Sequence, residues 1–149
     1  MLDRAQRRGI PAYYLPYSAL DRSLFEYAAI TILRGLGVDL VVLAGFMRIL
    51  TPHFVTSFPR RIVNIHPSLL PAYRGSKALE RSYNSADSRL GVTVHYVDEG
   101  LDSGEIICHE SFSRVGDETF VDIEKRIHAV EHRVYPEAVG RLLDVCERD

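Results

Sequence analysis

Asp39-Leu40-Val41-Val42-Leu43-Ala44-Gly45 is the stretch whose reading decides the fold class. It is a continuous apolar run with no polar alternation, which predicts a strand covered on both faces, as in a parallel sheet under helices. Downstream, Thr51-Pro52 opens a short helix with a capping hydroxyl followed by proline at the first helical position. Arg61-Ile62-Val63-Asn64-Ile65-His66 reads as a second buried strand that stops at Pro67. A helix from about Ser76 to Tyr83 precedes a strand over Gly91–Val97, where Val92, Val94 and Tyr96 alternate with Thr93, His95 and Val97. The loop Asp98–Gly104 leads to a further strand, Glu105–Phe112. Phe120, Ile123, Ile127, Val130 and Val134 recur at three and four residues and mark a long amphipathic helix, which Pro136 kinks or restarts. Upstream, Leu2–Arg8 is a short helical stretch ended by Gly9 and Pro11, and Ala12–Leu15 is a brief strand candidate before Pro16. The helix after it has Asp21 as its cap, Leu24, Phe25, Ala28, Ile32 and Leu36 at helical spacing, and Gly35 and Gly37 at its end. Strands alternating with helices predict an α/β domain.

The 149 residues suit one domain, 1–149, with a core of its own. Hydrophobic residues at 46% and charged residues at 26% exclude a disordered or collagen-like chain. A formal net charge of -2 offers no basic field, so neither nucleic acid nor an acidic membrane surface is an expected partner. Leu40–Met47, the longest apolar run, falls far short of the ~20 residues a spanning helix needs. The charged opening Met1–Arg8 does not fit a signal peptide. Cys108 and Cys146 cannot build a disulfide framework, and unpaired thiols suit the reducing cytoplasm, which is the expected location. Neither G-x-G-x-x-G nor G-x-x-x-x-G-K-[ST] occurs. Either the ligand needs no phosphate-cradling turn, or the sequence starts part-way through the fold.

The densest polar cluster at a strand end is Asn64-Ile65-His66-Pro67-Ser68. With a period of two, Asn64 and His66 point to one side of their strand, at the carboxyl end where open α/β sheets place ligands. An amide donor and an imidazole there suit an oxyanion growing on an attacked carbonyl; the alternative is that both merely satisfy nearby backbone groups. The loop Asp98-Glu99-Gly100-Leu101-Asp102-Ser103-Gly104 misses the EF-hand spacing, and Asp98 and Glu99 read first as solvated. Gly100 and Gly104 allow tight backbone around Asp102, and a carboxylate there, if beside His66, would favour the imidazolium and accept a proton in transit. His128-Ala-Val-Glu131-His132 fits the H-x-x-E-H zinc pattern literally. A third ligand would have to come from Glu137, Asp144, Glu147 or Asp149, so the segment reads as the polar face of a helix, and no metal is expected. His53, His95 and His109 lack ligand spacing, although His95 is placed to line the same cleft as His66. Tyr13, Tyr14, Tyr17 and Tyr27 lack interleaved basic residues and read as packing.

Five segments, Leu43-Ala-Gly-Phe-Met-Arg-Ile-Leu50, Asn64-Ile-His-Pro-Ser-Leu-Leu-Pro71, Gly91-Val-Thr-Val-His95, Leu101-Asp-Ser-Gly104 and Glu131-His-Arg-Val-Tyr-Pro136, together resemble the phosphoribosylglycinamide formyltransferase family. The resemblance spans nearly the whole chain. Asn-x-His-Pro-Ser-Leu-Leu-Pro is shared by formyl-folate enzymes of this fold generally, and the first and last segments are narrower. It implies a Rossmann-like, mostly parallel sheet flanked by helices, the formyltransferase fold. The activity it implies is formyl transfer from 10-formyltetrahydrofolate, a co-substrate, to the amine of glycinamide ribonucleotide in purine synthesis. Asn64, His66 and Asp102 are then the catalytic trio. Met47, Arg48, Ile49, Leu50 and Val55, with the backbone of Asp98, Glu99, Gly100, Leu101 and Asp102, line the folate pocket. Glu131 and Pro67 border the ribonucleotide.

The family opens with a strand and glycine-rich phosphate loop that this sequence lacks, so an N-terminally truncated sheet is expected. Asp39–Gly45 then has an unpaired edge, open to a second copy in a homodimer. Three rivals share features. Formyltetrahydrofolate deformylase uses water in place of the amine; methionyl-tRNA formyltransferase is similar at Tyr73-Arg74-Gly75 but needs a basic tRNA domain; a non-catalytic folate-binding remnant would explain the missing phosphate loop.

Overall fold

A computed structural model describes residues 2–16 and 21–146. Tyr17, Glu147 and Asp149, and the side chain of Cys146, lie outside the described residues. Two compact units are present, Met1–Val38 and Asp39–Asp149.

The first unit holds α1 (Leu2–Gln6) and α2 (Arg22–Gly35). Asp21 caps α2 by accepting the Ser23 amide at 2.9 Å, the exchange that satisfies an otherwise orphaned first-turn donor. Gly37, in the left-handed region, closes the other end, and the Val38 amide returns to the Leu33 carbonyl. Ile30 and Glu26 are the buried residues of α2, whereas Leu24 and Leu36, expected on its inner face, are exposed. Ala12–Leu15 is not a strand. Its prolines on either side remove ladder donors, and no strand among the described residues pairs with it. Tyr13, Tyr14 and Tyr27, expected as packing, are exposed.

The second unit carries β1 (Val41–Leu43), α3 (Pro52–Ser57), β2 (Ile62–His66), α4 (Ala78–Tyr83), β3 (Arg89–Tyr96), β4 (Ile106–Ser113) and α5 (Phe120–Cys146). The strands form one sheet in the order β1-β2-β3-β4. The expected α/β sheet is therefore present, but its described strands are mixed. β1–β2 is parallel, and β2–β3 and β3–β4 are antiparallel. β1 is the edge strand of this sheet, which leaves Val42 42% exposed rather than covered on both faces. Thr51 caps α3 through the Phe54 amide, with Pro52 at its first position as the dipeptide requires.

Register gives the sheet two unlike faces. Val63 and Ile65 of β2 lie opposite Tyr96 and Val94 of β3, and these apolar residues pack under Val130, Val134, Tyr135 and Ala138 of α5. Leu90 and Val92 meet Ile123 and Ile127 one to two turns earlier along the same helix. Alternation sends Asn64 and His66 to the other face, across from His95 and Thr93. α5 runs on through Pro136 without a break in the helix. Val134, Tyr135 and Ala138 around it are buried, and that packing outweighs the ~3 kcal/mol a proline costs inside a helix. Tyr135 reaches the sheet itself, its hydroxyl 2.7 Å from the Leu43 carbonyl and 2.9 Å from that of Val63. Among the described residues no helix is long and apolar enough to cross a membrane.

Candidate active site

β2 ends at His66, and from Pro67 the chain folds back over β3. Thr93, wholly buried, donates to the Ser68 carbonyl at 2.7 Å and accepts the Leu70 amide at 2.9 Å. Leu69 lies over Gly91, where a side-chain carbon would stand 2.8 Å from its Cδ2 and 2.1 Å from the Glu110 carbonyl. The Leu70–Pro71 peptide is cis. This return brings the Tyr73 carbonyl to 3.0 Å from Nε2 of His66. A carbonyl only accepts, so Nε2 carries a proton in this contact.

The second segment to arrive is the β3–β4 loop. Asp98 is exposed to solvent, as expected, and it also organises the loop by accepting the Gly100 amide at 3.0 Å and the Ser103 hydroxyl at 2.9 Å. A side chain at Gly104 would overlap the Tyr96 carbonyl at 1.8 Å, and only glycine fits that approach. The left-handed residue of the loop is Asp102 itself, at φ 47°, rather than either glycine expected to supply the tight backbone. The Gly75 amide holds the Asp102 carboxylate at 2.7 Å. Asp102 Oδ2 then lies 3.4 Å from Nδ1 of His66, and Oδ1 lies 3.7 Å from Nε2 of His95.

Asn64, His66 and Asp102 are thus brought together, with His95 as a fourth member. Asn64 Nδ2 is 3.4 Å from His95 Nε2, and His95 Nδ1 is 2.9 Å from the Tyr96 carbonyl. His66 and His95 are both buried, and burial holds the His95 ring below the usual histidine range, opposed in part by the Tyr96 carbonyl and Asp102. Among the described residues no buried side-chain nitrogen or oxygen lacks a hydrogen-bond partner. One amide donor, two imidazoles and a carboxylate at one strand end suit chemistry that puts negative charge on an oxygen and moves a proton nearby.

The remaining expected residues are more dispersed. Pro67 directly follows His66. Met47, Ile49 and Leu101 are exposed apolar side chains, Val55 is half-buried, and Leu50 is buried. Arg48, Glu99 and Gly100 are exposed. Glu131 lies on α5, against the opposite face of the sheet, one turn before Tyr135, and accepts from His128 Nδ1 at 2.9 Å. The His128 and His132 rings stack with centroids 6.5 Å apart. His95 was legible as a cleft residue from its strand, but its link to Asn64 was not. That link depends on antiparallel pairing, which local pattern does not specify.

The formyl transferase family matches residues 1–139. Phosphoribosylglycinamide formyltransferase of Bacillus subtilis is 38% identical over 149 residues, an alignment that takes in 99% of this chain and 76% of that protein. The human trifunctional purine biosynthetic protein adenosine-3 is 37% identical over 139 residues, covering 93% of this chain but 14% of that much longer protein. Among solved structures, phosphoribosylglycinamide formyltransferase from Bacillus halodurans superposes with a TM-score of 0.90 at 39% identity, over 95% of this chain and 74% of that one.

Proposed function

The chain belongs to the formyl transferase family, and from that premise we propose that it transfers a formyl group from 10-formyltetrahydrofolate to the primary amine of glycinamide ribonucleotide, a step of purine biosynthesis. The observation that carries this reading is the convergence of Asn64, His66 and Asp102, with Asp102 Oδ2 3.4 Å from His66 Nδ1. The amine attacks the formyl carbon and a tetrahedral oxyanion forms. Asn64 Nδ2 and a protonated His66 donate to that oxygen, His66 through Nδ1–H because its Nε2–H is held by the Tyr73 carbonyl. Asp102 beside Nδ1 stabilises the imidazolium. Asp102 takes up the amine proton as the new C–N bond forms. When the intermediate collapses, the oxyanion re-forms the carbonyl, the bond to the folate nitrogen breaks, and the proton taken up by Asp102 passes to that nitrogen. The exposed apolar Met47, Ile49 and Leu101 support a folate ring contact, with Arg48, Leu50, Val55 and the Asp98–Asp102 backbone around it. Pro67, next to His66, borders the ribonucleotide in this reading, and Glu131, on α5 across the sheet, meets it only where the ligand extends past the sheet edge. No metal takes part. The family match, over residues 1–139, crosses both units, which supports the single formyltransferase-like domain 1–149, and unpaired thiols suit the cytoplasm as its location.

Asn64→Ala and His66→Ala are each expected to lower kcat by about 10²–10³-fold, the usual effect of losing one oxyanion donor, with circular dichroism and melting behaviour retained. Near-normal turnover in both variants overturns the mechanism. Formate released without the ribonucleotide would transfer the reading to hydrolysis.

A further inference from the structure

We propose that His95 is the positioning residue for Asn64: its Nε2 lone pair accepts one amide N–H, so the carboxamide presents nitrogen rather than oxygen to the site. The inference deepens the transfer reading above and rests on it for its effect on rate.

His95 Nδ1 faces the Tyr96 carbonyl at 2.9 Å. A carbonyl cannot donate, so the proton of the neutral ring sits on Nδ1, and Nε2 is left as an acceptor. At 3.4 Å from Nε2 stands the side-chain amide of Asn64, and only its nitrogen end can donate there. A carboxamide turned the other way would set its oxygen lone pairs against that of the ring. The second amide proton is then free for an oxyanion.

Two features of the fold put the ring in place. Asn64 and His95 are direct partners across the antiparallel β2–β3 ladder. On the far side of β3 the pairing with β4 slips between Val94 and His95, which leaves Ile107 as an extra residue. Such bulges re-aim side chains next to functional sites. The titratable groups facing His95 are Asp102 and Asp98 from the β3–β4 loop and His66 from β2. Protonation of His95 places an N–H on Nε2. That N–H turns toward Asp102 Oδ1, 3.7 Å away, and repels the amide protons. Asn64 then reverses and its donor is lost.

The test compares His95→Leu with His95→Gln, each alone and with Asn64→Ala. Because the oriented amide matters only once the oxyanion exists, His95→Leu is expected to lower kcat roughly tenfold or more while KM for both substrates stays within about twofold. His95→Gln, whose Oε1 restores an acceptor that does not titrate, recovers most of that loss and flattens the acid limb of the kcat profile. In the Asn64→Ala background, His95→Leu costs nothing further. A full additional loss there, or a Gln variant no better than Leu, overturns the inference while formyl transfer stands. An Asn64→Ala variant as active as the parent leaves His95 nothing to position and overturns the inference as well; the transfer mechanism falls only if His66→Ala is near-normal too. A readout independent of turnover is the long-range proton–nitrogen spectrum of the imidazoles. His95 should show a protonated Nδ1 and a bare Nε2 at neutral pH; the opposite tautomer, or a charged ring, overturns the inference whatever the activity.

Discussion

Asp102 reaches His66 because the amide of Gly75, a residue far earlier in the chain, fixes its carboxylate at 2.7 Å. Its left-handed backbone adds a constraint: at φ 47° asparagine and glycine are tolerated, while longer carboxylates are strained. The sequence points to His66 as the partner, but neither the Gly75 amide nor the left-handed backbone that brings Asp102 to it is visible around residue 102, where only the glycines at 100 and 104 draw attention to the loop. Asn64 and His66, by contrast, are legible from the sequence, since two residues at a period of two before a proline share a face in any strand. Tyr135 is another single residue with long reach. Removing its hydroxyl leaves the Leu43 and Val63 carbonyls short of a buried donor, so Tyr135→Phe is expected to cost about 1–3 kcal/mol in urea unfolding. His95 contributes a pH dependence. Burial lowers its proton affinity in the folded state, so as pH falls the unfolded chain takes up that proton first. Stability is therefore complete above the ordinary histidine value of about 6.5 and declines below it, until the buried ring itself protonates. Urea midpoints measured on both sides of that value should show the decline in the parent and not in His95→Gln.

Elements were legible where burial imposes a period, and less so where a neighbour decides. The apolar runs at Asp39–Gly45 and Arg61–His66 do hold strands, and the three-and-four spacing after Phe120 does hold the long helix. Strand direction follows from the connections and not from composition, which is why β3 and β4 run antiparallel to their neighbours within a sheet expected to be mostly parallel. Ala12–Leu15 has the residues of a strand but no described partner, and a strand without a ladder does not persist. Pro136 errs the other way: a local breaker is overruled by the buried residues on both sides of it. The β3–β4 loop is the element whose shape the chemistry needs most. At Gly104→Ala the new carbon overlaps the Tyr96 carbonyl, and the strand end or the loop must move. A loss of about 1–3 kcal/mol is expected from overpacking of this kind. Turnover should fall further than the remaining folded fraction accounts for, because Asp102 stands two residues away; kcat and the urea midpoint measured on one preparation check both.

Across the whole of the second unit, one sheet serves two purposes on its two sides. α5 seals the apolar side through Val63, Val92, Val94, Ile123 and Ile127, and the site occupies the other through Asn64, His66, Thr93 and His95. Folding and chemistry thus draw on separate sets of residues that are neighbours in the chain. Tolerance to substitution should consequently come in stripes. Along β2, changes at 63 and 65 exhaust the supply of folded protein, while changes at 64 and 66 leave abundance untouched and silence the enzyme. On β3 the alternation continues with 92 and 94 set against 95. A library scored once for cellular level and once for growth without purines would print that parity directly, one residue at a time.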